Sequence, residues 1–230
     1  MTTDGFAETI IEEMNCQTVF TIPVFGGIGI SEAVVVTWII MAVLMIAAVP
    51  LGRNLTVTNC SKKQLLLEAF VGWMDNFFYS LVGEKGKRYI PYLMTILIYI
   101  GFANIIGIFG FKSPTKDIRV TIALALMTIV LVQYAAIHEK GVKGWVKGFT
   151  EPVAIVTPIN VLELLIKPLS LCMRLFGNVL GAFIIMEMIE YVAPAIVPMV
   201  FSMYFDFFDG FIQAYVFVFL TSLYINEALE

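Results

Sequence analysis

Apolar residues form long runs along most of this chain. Four runs cover residues 31–50, 89–110, 118–137 and 199–224, and a longer region at 153–199 is interrupted by polar residues. A helix needs about 20 predominantly apolar residues to cross about 30 Å of hydrocarbon. The pattern therefore predicts five transmembrane helices.

The segment at 64–83 differs from these runs because polar side chains are interspersed among its Leu and Phe residues. Glu68, Asp75 and Asn76 all fall within it. Such a segment is typical of a helix that lies in the membrane interface. The predicted fold class is an all-α polytopic membrane protein, with five transmembrane helices and one interfacial amphipathic helix. Residues 1–230 are expected to form a single membrane domain.

The fourth apolar region is too long for one perpendicular crossing. About 40 residues of helix extend about 60 Å at 1.5 Å per residue, roughly twice the thickness of the hydrocarbon layer. A strong tilt accommodates this length, and Pro194 and Pro198 indicate a turn into the last helix. We expect residues 152–228 to form a long tilted helical hairpin.

Composition narrows the function classes. The chain is 60% hydrophobic and 14% charged, whereas about 25% of residues are charged in a soluble domain. The polar connections are too short for a soluble catalytic site, so we expect no ATP-hydrolysing site, cofactor or metal in this chain. Cys16, Cys60 and Cys172 form no CxxC pair and are interpreted as reduced packing residues. A net charge of −4 without a basic stripe gives no indication of a nucleic-acid partner.

Lysine and arginine residues predict the orientation, because cytoplasmic loops hold an excess of them. If the amphipathic segment stays on the cytoplasmic face, nine basic residues share that face against three on the other. Residues 1–30 are then external and the C-terminus is cytoplasmic. The N-terminus lacks the basic region of a signal peptide, so no cleavage is expected. The nine are Arg53, Lys62, Lys63, Lys85, Lys87, Arg88, Lys140, Lys143 and Lys147, and the three are Lys112, Lys116 and Arg119.

Polar residues spaced three or four apart follow one face of the predicted fourth helix, and such a face cannot contact lipid. Arg174 lies near the middle of this face, which we call the polar stripe. Its guanidinium stays protonated, so it would act as a fixed positive charge rather than as a proton carrier. The members of the polar stripe are Glu163, Lys167, Ser170, Arg174, Asn178 and Gly181.

Simpler interpretations of the stripe stay open. Arg174 could be a structural residue paired with Glu187 or Asp206. Lys167 could extend its ammonium group to the membrane surface or take part in an aqueous passage.

The last apolar region carries a second polar face. Asp206, Asp209 and Gln213 are three and four residues apart. The alternative for the two aspartates is a loop in which they cap a helix. Gln213 lies within an apolar run and needs a polar partner.

Two segments resemble a known protein family. The string KPLSLCMRLFGNVLGAF, with RLFGN preceded by a Pro-Leu-Ser run, closely resembles the signature of subunit a of bacterial F-type ATP synthases. The later string FIQAYVFVFLTSLYI resembles the last helix of the same family. The resemblance covers residues 157–224, and the preceding spans fit the family's topology without adding a motif.

The resemblance implies a stator subunit with two aqueous half-channels for H⁺, or in some relatives Na⁺, beside a rotating ring of c subunits. Arg174 matches the family's essential arginine, Gln213 its nearby glutamine and Asn178 its half-channel asparagine. Gly177 and Gly181 would pack against the c-ring, or else serve ordinary helix packing. The implied partners are the c-subunit ring, the b-subunit peripheral stalk, other ATP synthase subunits and the lipid bilayer, in a bacterial plasma membrane.

Two positions differ from some relatives. Enterobacterial forms carry Glu where Phe183 stands, and His where Asp206 stands; the carboxylate nearest to Phe183 is Glu187. The candidate ion-pathway residues are Asp206, Asp209 and Glu187 toward the outside, and Glu163, Lys167 and Ser170 toward the inside.

Two other function classes fit a polytopic membrane chain. A self-contained secondary transporter would use Arg174 to bind an anionic substrate, but such transporters show inverted repeats and none is visible in this sequence. A membrane scaffold would pair its polar faces internally and would tolerate Gln213→Leu.

Overall fold

The computed structural model describes residues 18–22, 28–53, 61–109, 113–148, 157–192 and 196–229. Near the start of the chain, two short strands, β1 (Thr18–Ile22) and β2 (Ile28–Ser31), pair in antiparallel register. Helices account for nearly all of the remaining described residues, which confirms the predicted all-α membrane class. The strand pair is an addition that the apolar pattern did not predict.

The long helices follow the predicted apolar regions, and short helical turns connect several of them. The turns are the 3₁₀ segments Lys87–Tyr89, Ile106–Phe109 and Pro114–Lys116. The helices are α1 (Glu32–Gly52), α2 (Lys62–Val82), α3 (Ile90–Ile105), α4 (Ile118–Gly148), α5 (Thr157–Val192), α6 (Ile196–Ser202) and α7 (Gly210–Leu229), with a π-helical segment (Met203–Asp209) between the last two.

Six helices in the described part of the chain are long and apolar enough to cross a membrane. Five correspond to the predicted spans, and the sixth is α2, whose sequence pattern predicts an interfacial position. Met74, Phe78 and Val82 in its second half are buried, whereas Leu66 in its first half is exposed. Helix α2 therefore packs against the bundle through one end only, and its interfacial position stays a prediction.

The core lies between α3, α4 and α7. Leu93 and Ile100 on α3 and Phe217 and Ile225 on α7 are fully buried. On each helix the buried positions recur at intervals of three and four residues, which places them on one face. Helix α5 packs mainly against α4 and is anchored there by Leu171, whose side chain is also buried.

Helix α4 continues to Gly148, beyond the predicted end of its apolar run at residue 137, and its backbone reverses direction sharply at Gly141. Gly141 has φ 69° and ψ 163°, in a region that side chains with a Cβ rarely adopt. The indole of Trp145 donates a hydrogen bond to Gln133 Oε1 at 2.8 Å. Twelve residues of straight helix would separate these side chains by about 18 Å. The segment after Gly141 therefore folds back along the preceding helix.

Helix α5 is continuous over 36 residues and includes Pro168 in its interior. Its length is about 54 Å at 1.5 Å per residue, well above the thickness of the hydrocarbon layer. This extension agrees with the length expected for the first arm of the hairpin, whereas its tilt stays a prediction. Pro198 lies in the short helix α6, and Pro194 lies outside the described residues.

Polar contacts distinguish the two ends of the bundle. At the basic end, Lys85 Nζ lies 3.1 Å from Glu139 Oε1 and donates to the Leu229 carbonyl at 3.4 Å. Arg88 lies 3.4 Å from the His138 ring at the same end. These contacts bring together three segments that are predicted to share the cytoplasmic face, namely the segment before α3, the middle part of α4 and the end of α7. We call the other end, where α3 ends and α4 begins, the hydroxyl end.

Several predicted features fall outside the described residues. They include most of the external segment 1–30, as well as Cys16, Cys60 and the side chain of Asp206. Cys172 is described, and it is a free, buried thiol on α5.

Candidate functional site

The polar stripe of helix α5 lies beside the buried face of the same helix. Leu171, Cys172 and Leu175 are buried, whereas Arg174 and Glu163 are exposed. The remaining stripe residues, Lys167, Ser170, Asn178 and Gly181, are half-buried.

Arg174 occupies the middle of α5, about 25 Å from either end at 1.5 Å per residue. Among the described side chains, none forms a hydrogen bond or an ion pair with its guanidinium. Glu187 is 13 positions later on the same helix, which is about 20 Å away, so these two side chains do not pair. The interpretation of Arg174 as a structural residue paired with Glu187 is therefore wrong for this conformation.

Asn178 joins the two arms of the hairpin on the hydroxyl side of Arg174. Its Nδ2 atom donates to Asp209 Oδ2 at 2.6 Å. Asp209 ends the π-helical segment, in which the Gly210 amide donates to the Phe205 carbonyl five residues earlier. Asp206 and Asp209 therefore lie in continuous helical structure rather than in a capping loop. Such π segments are frequent at functional sites.

Lys167 joins the same two arms on the basic side. Its ammonium lies 2.7 Å from Glu227 Oε1 on α7 and 3.8 Å from Glu163 Oε2 one turn earlier on α5. It also lies 5.4 Å from the centre of the Tyr224 ring. Because Lys167 of the first arm meets the end of α7 and Asn178 meets its start, the arms are antiparallel.

A cavity of about 250 Å³ adjoins this cluster at the basic end. Helix α5 contributes Glu163 and Lys167 to its wall, and α7 contributes Glu227. The folded-back end of α4 contributes Trp145. The cavity is lined by charges of both signs, which suits water and small ions better than an apolar ligand.

Gln213 is buried on α7, with only 6% of its surface exposed. Its Nε2 atom has no hydrogen-bond partner among the described residues. Among the described contacts, no hydrogen bond joins Gln213 to Arg174. Gln213 is therefore buried, and the polar partner expected from the sequence is not found among the described residues.

The two glycines of α5 meet open space. A Cβ atom added at Gly177 or Gly181 would have no atom within 4 Å. Within the described part of the chain, no other helix therefore packs closely against either glycine. Phe183, which follows on the same helix, packs beneath the Lys116 ammonium at 4.1 Å from its ring centre.

A buried polar network at the hydroxyl end was missed by the sequence patterns. Thr115 donates to Asn104 Oδ1 at 2.9 Å, and Asn104 Nδ2 donates to the Gly210 carbonyl at 2.9 Å. Ser113 contributes its hydroxyl to the Ala103 carbonyl at 2.7 Å. The network therefore reaches the residue directly after Asp209. A signal for this network that the sequence does contain is Asn104, whose side-chain amide falls within an apolar run.

Asp117 extends this polar region toward the start of α1. It is 6% exposed, and its carboxylate accepts hydrogen bonds from Ser31 Oγ at 2.8 Å and from the Arg119 amide at 2.9 Å. A buried carboxylate with two donors is stabilised in place. The hydroxyl end thus combines acidic, hydroxyl and amide groups from four segments of the chain.

Comparison with known proteins identifies the family. The family described as ATP synthase A chain matches residues 34–226. This chain belongs to the ATP synthase subunit a family. It is 36% identical over 201 residues to ATP synthase subunit a of Moorella thermoacetica, with 87% of this chain and 91% of that protein covered.

Two further relatives extend the comparison. The chain is 31% identical to the sodium ion specific ATP synthase subunit a of Propionigenium modestum, with 88% of this chain and 75% of the relative covered. It is 34% identical to ATP synthase subunit a 1 of Pelobacter propionicus, with 87% of this chain and 88% of the relative covered. Family membership makes this chain a multi-pass membrane subunit of an ATP synthase complex, with a role in ion transport and ATP synthesis.

Proposed function

We propose that this subunit provides two aqueous half-channels that carry H⁺ or Na⁺ to and from the c-ring carboxylates, with Arg174 as the fixed charge between them. The observation that carries the proposal is the setting of Arg174. It is exposed midway along α5 and unpaired among the described side chains, with a polar contact between the two arms on either side.

The fixed charge of Arg174 performs two tasks in this mechanism. An opposite charge within about 4–6 Å lowers the pKa of a carboxyl group. Arg174 therefore favours the ionised form of a passing c-subunit carboxylate, which releases its ion. The same charge repels cations and prevents a direct leak between the half-channels. The ion then crosses only with the ring, and one charge moving through 100 mV supplies about 2.3 kcal/mol.

The two groups of polar residues supply the passages. Asp209, Asn178 and Glu187, together with Asp206, serve the passage at the hydroxyl end. At the basic end, Glu163, Lys167 and Ser170 serve the other passage, beside the cavity of about 250 Å³. Gln213 provides a buried amide on α7 between these regions. The support for this assignment is that each group holds a polar contact between the two arms of the hairpin.

The partners and the orientation follow from the same assignment. The exposed face around Arg174, Gly177 and Gly181 would meet the c-ring, because glycine admits a close helix. The b-subunit stalk and other ATP synthase subunits complete the assembly. The basic end would face the cytoplasm of a bacterial plasma membrane, with the N-terminus outside, because cytoplasmic loops hold excess lysine and arginine.

Substitution of Arg174 tests the proposal. In complexes reconstituted into liposomes, Arg174→Ala should reduce gradient-driven ATP synthesis to background and increase passive ion leakage, since nothing then separates the half-channels. The matched control is Met173→Ala, which changes the adjacent exposed residue and should retain most of the synthesis. Normal coupled synthesis by the Arg174→Ala complex would reject the mechanism.

The identity of the ion is tested separately. The relative in Propionigenium modestum is described as sodium ion specific, so both ions are tested. ATP-driven transport is measured with and without Na⁺, in the presence and absence of a protonophore. Transport of H⁺ predicts that the protonophore abolishes the gradient without any need for Na⁺, whereas transport of Na⁺ predicts dependence on Na⁺ and resistance to the protonophore.

A further inference from the structure

Described polar contacts connect α5 at two places with the second arm of the hairpin, which consists of the π-helical segment and α7, and Arg174 lies between them. Lys167 Nζ lies 2.7 Å from Glu227 Oε1, and Asn178 Nδ2 lies 2.6 Å from Asp209 Oδ2. Along the axis of α5, Arg174 is about 10 Å after Lys167 and about 6 Å before Asn178. The position of Arg174 relative to α7 is therefore bracketed on both sides.

The contact at the basic end is a shared ion pair. One ammonium, on Lys167, faces two carboxylates and one aromatic ring. Glu163 lies on the same helix as Lys167, four residues earlier, so their contact does not connect the arms. Glu227 lies on α7, so its contact with Lys167 is the one that crosses between them.

The orientation of the Arg174 side chain depends on such contacts, because this side chain has no partner of its own among the described residues. Its direction is set by the rotation and the axial position of α5. Each residue of slip along a helix rotates a side chain by about 100°, which would turn Arg174 away from its present face. A charged contact two turns away resists both rotation and sliding.

We propose that Lys167 and Glu227 form a positioning pair that holds Arg174 in register with α7. The proposal rests on the proposed role of Arg174 and adds Glu227, which no sequence motif indicated. In this role, Glu227 acts by holding the position of α5 relative to α7. Its loss therefore affects how tightly transport is coupled to ATP hydrolysis.

The test uses whole ATP synthase complexes in liposomes, with the variants Lys167→Gln, Glu227→Gln and the exchange Lys167→Glu with Glu227→Lys. The membrane potential generated per ATP hydrolysed measures coupling for either ion. Each single variant should lower this ratio by about two- to five-fold, the range expected for a partly exposed ion pair. The exchange should restore part of it, because a lysine again faces a carboxylate across the two arms, while repulsion between Glu163 and the new carboxylate four residues later reduces the gain.

The matched control is Glu139→Gln. It removes the ion pair with Lys85, which has a separation of 3.1 Å at the same end of the bundle but does not involve α5. This variant should leave the ratio unchanged. A purely structural role of Lys167 and Glu227 would lower the amount of assembled complex without changing the ratio per assembled complex.

The outcomes separate the two proposals. If both single variants keep the original ratio, or the exchange restores none of the lost ratio, while Arg174→Ala still uncouples, the positioning pair is rejected and the proposed function stands. If Arg174→Ala remains coupled, both proposals are rejected. Should Lys167→Gln fail to assemble, Glu227→Gln provides the same test, because it leaves Lys167 paired with Glu163.

Discussion

The two ends of the helix bundle are held by different kinds of contact. At the hydroxyl end, Asn104 bonds to the backbone of Gly210, and a Cβ at Gly210 would lie only 2.8 Å from the Asn104 Cβ. At the basic end, an ion pair between the partly exposed side chains of Lys167 and Glu227 connects the arms beside a cavity. One end is closely packed and the other is open.

This difference indicates how one helix bundle combines a fixed arrangement of its helices with access for water and ions. Buried hydrogen bonds are costly to break when a partner is left unsatisfied, so the hydroxyl end holds the helices at fixed separation. Partly exposed ion pairs contribute little to stability, and the basic end therefore permits water to enter without loss of the fold. The following predictions test whether the two ends differ in this way.

The largest effect on stability is expected at the close approach of α3 and α7. Gly210→Ala places a methyl group 2.8 Å from the Asn104 Cβ, and such overpacking costs about 1–3 kcal/mol. The midpoint of thermal inactivation of the purified complex should fall. Gly101→Ala on α3 is the control, because a Cβ there meets nothing within 4 Å. Equal midpoints for the two variants would show that the hydroxyl end is not closely packed.

A smaller effect on stability is expected at Gly141, where the end of α4 folds back beside the cavity at the basic end. Gly141→Ala retains free space around the new methyl group, but φ 69° costs about 1–2 kcal/mol for a residue with a Cβ. The segment carrying Lys143 and Lys147 should detach more often and be cleaved faster by trypsin.

The control for this variant is Gly148→Ala, near the end of the same segment, where no positive φ occurs. It should leave the cleavage rate unchanged. If Gly141→Ala were cleaved no faster than Gly148→Ala, the left-handed backbone at Gly141 would not be what keeps the end of α4 folded back.

The smallest effect is expected from Glu163→Gln. The carboxylate is 3.8 Å from Lys167 within one helix and its side chain is 53% exposed, so its loss should change stability by no more than a few tenths of a kcal/mol. The thermal midpoint of the complex should stay close to that of the original. A decrease as large as that of Gly210→Ala would mean that the basic end is held as firmly as the hydroxyl end.

Much of the fold was predictable because membrane helices follow simple rules. Apolar length gave the positions of α1, α3, α4 and α5, and four-residue spacing gave the polar stripe of α5. The end of α4 was not predicted correctly, since the reversal at Gly141 depends on a backbone angle and on the distant Trp145–Gln133 contact. The strand pair β1–β2 was missed because its residues show no clear alternation.

Part of the candidate site was equally visible in the sequence. Arg174 and Asn178 were found from their spacing and from the RLFGN motif. Asn104 and Asp117 were missed, because a single amide in an apolar run and an acid in a short connection carry no motif. Glu227 was missed for the same reason, since it follows the last apolar run where charged residues are ordinary.

The sequence by itself determined which segments are helical, which face of α5 is polar and which family the chain resembles, because helix length and side-chain period are local properties. The tertiary structure decided which residues meet across the hairpin. Lys167 and Glu227 are 60 positions apart, as are many other pairs, and only the packing of α5 and α7 against α4 brings these two within hydrogen-bonding distance. Long-range pairing depends on the relative rotation and height of whole helices, which no local pattern specifies.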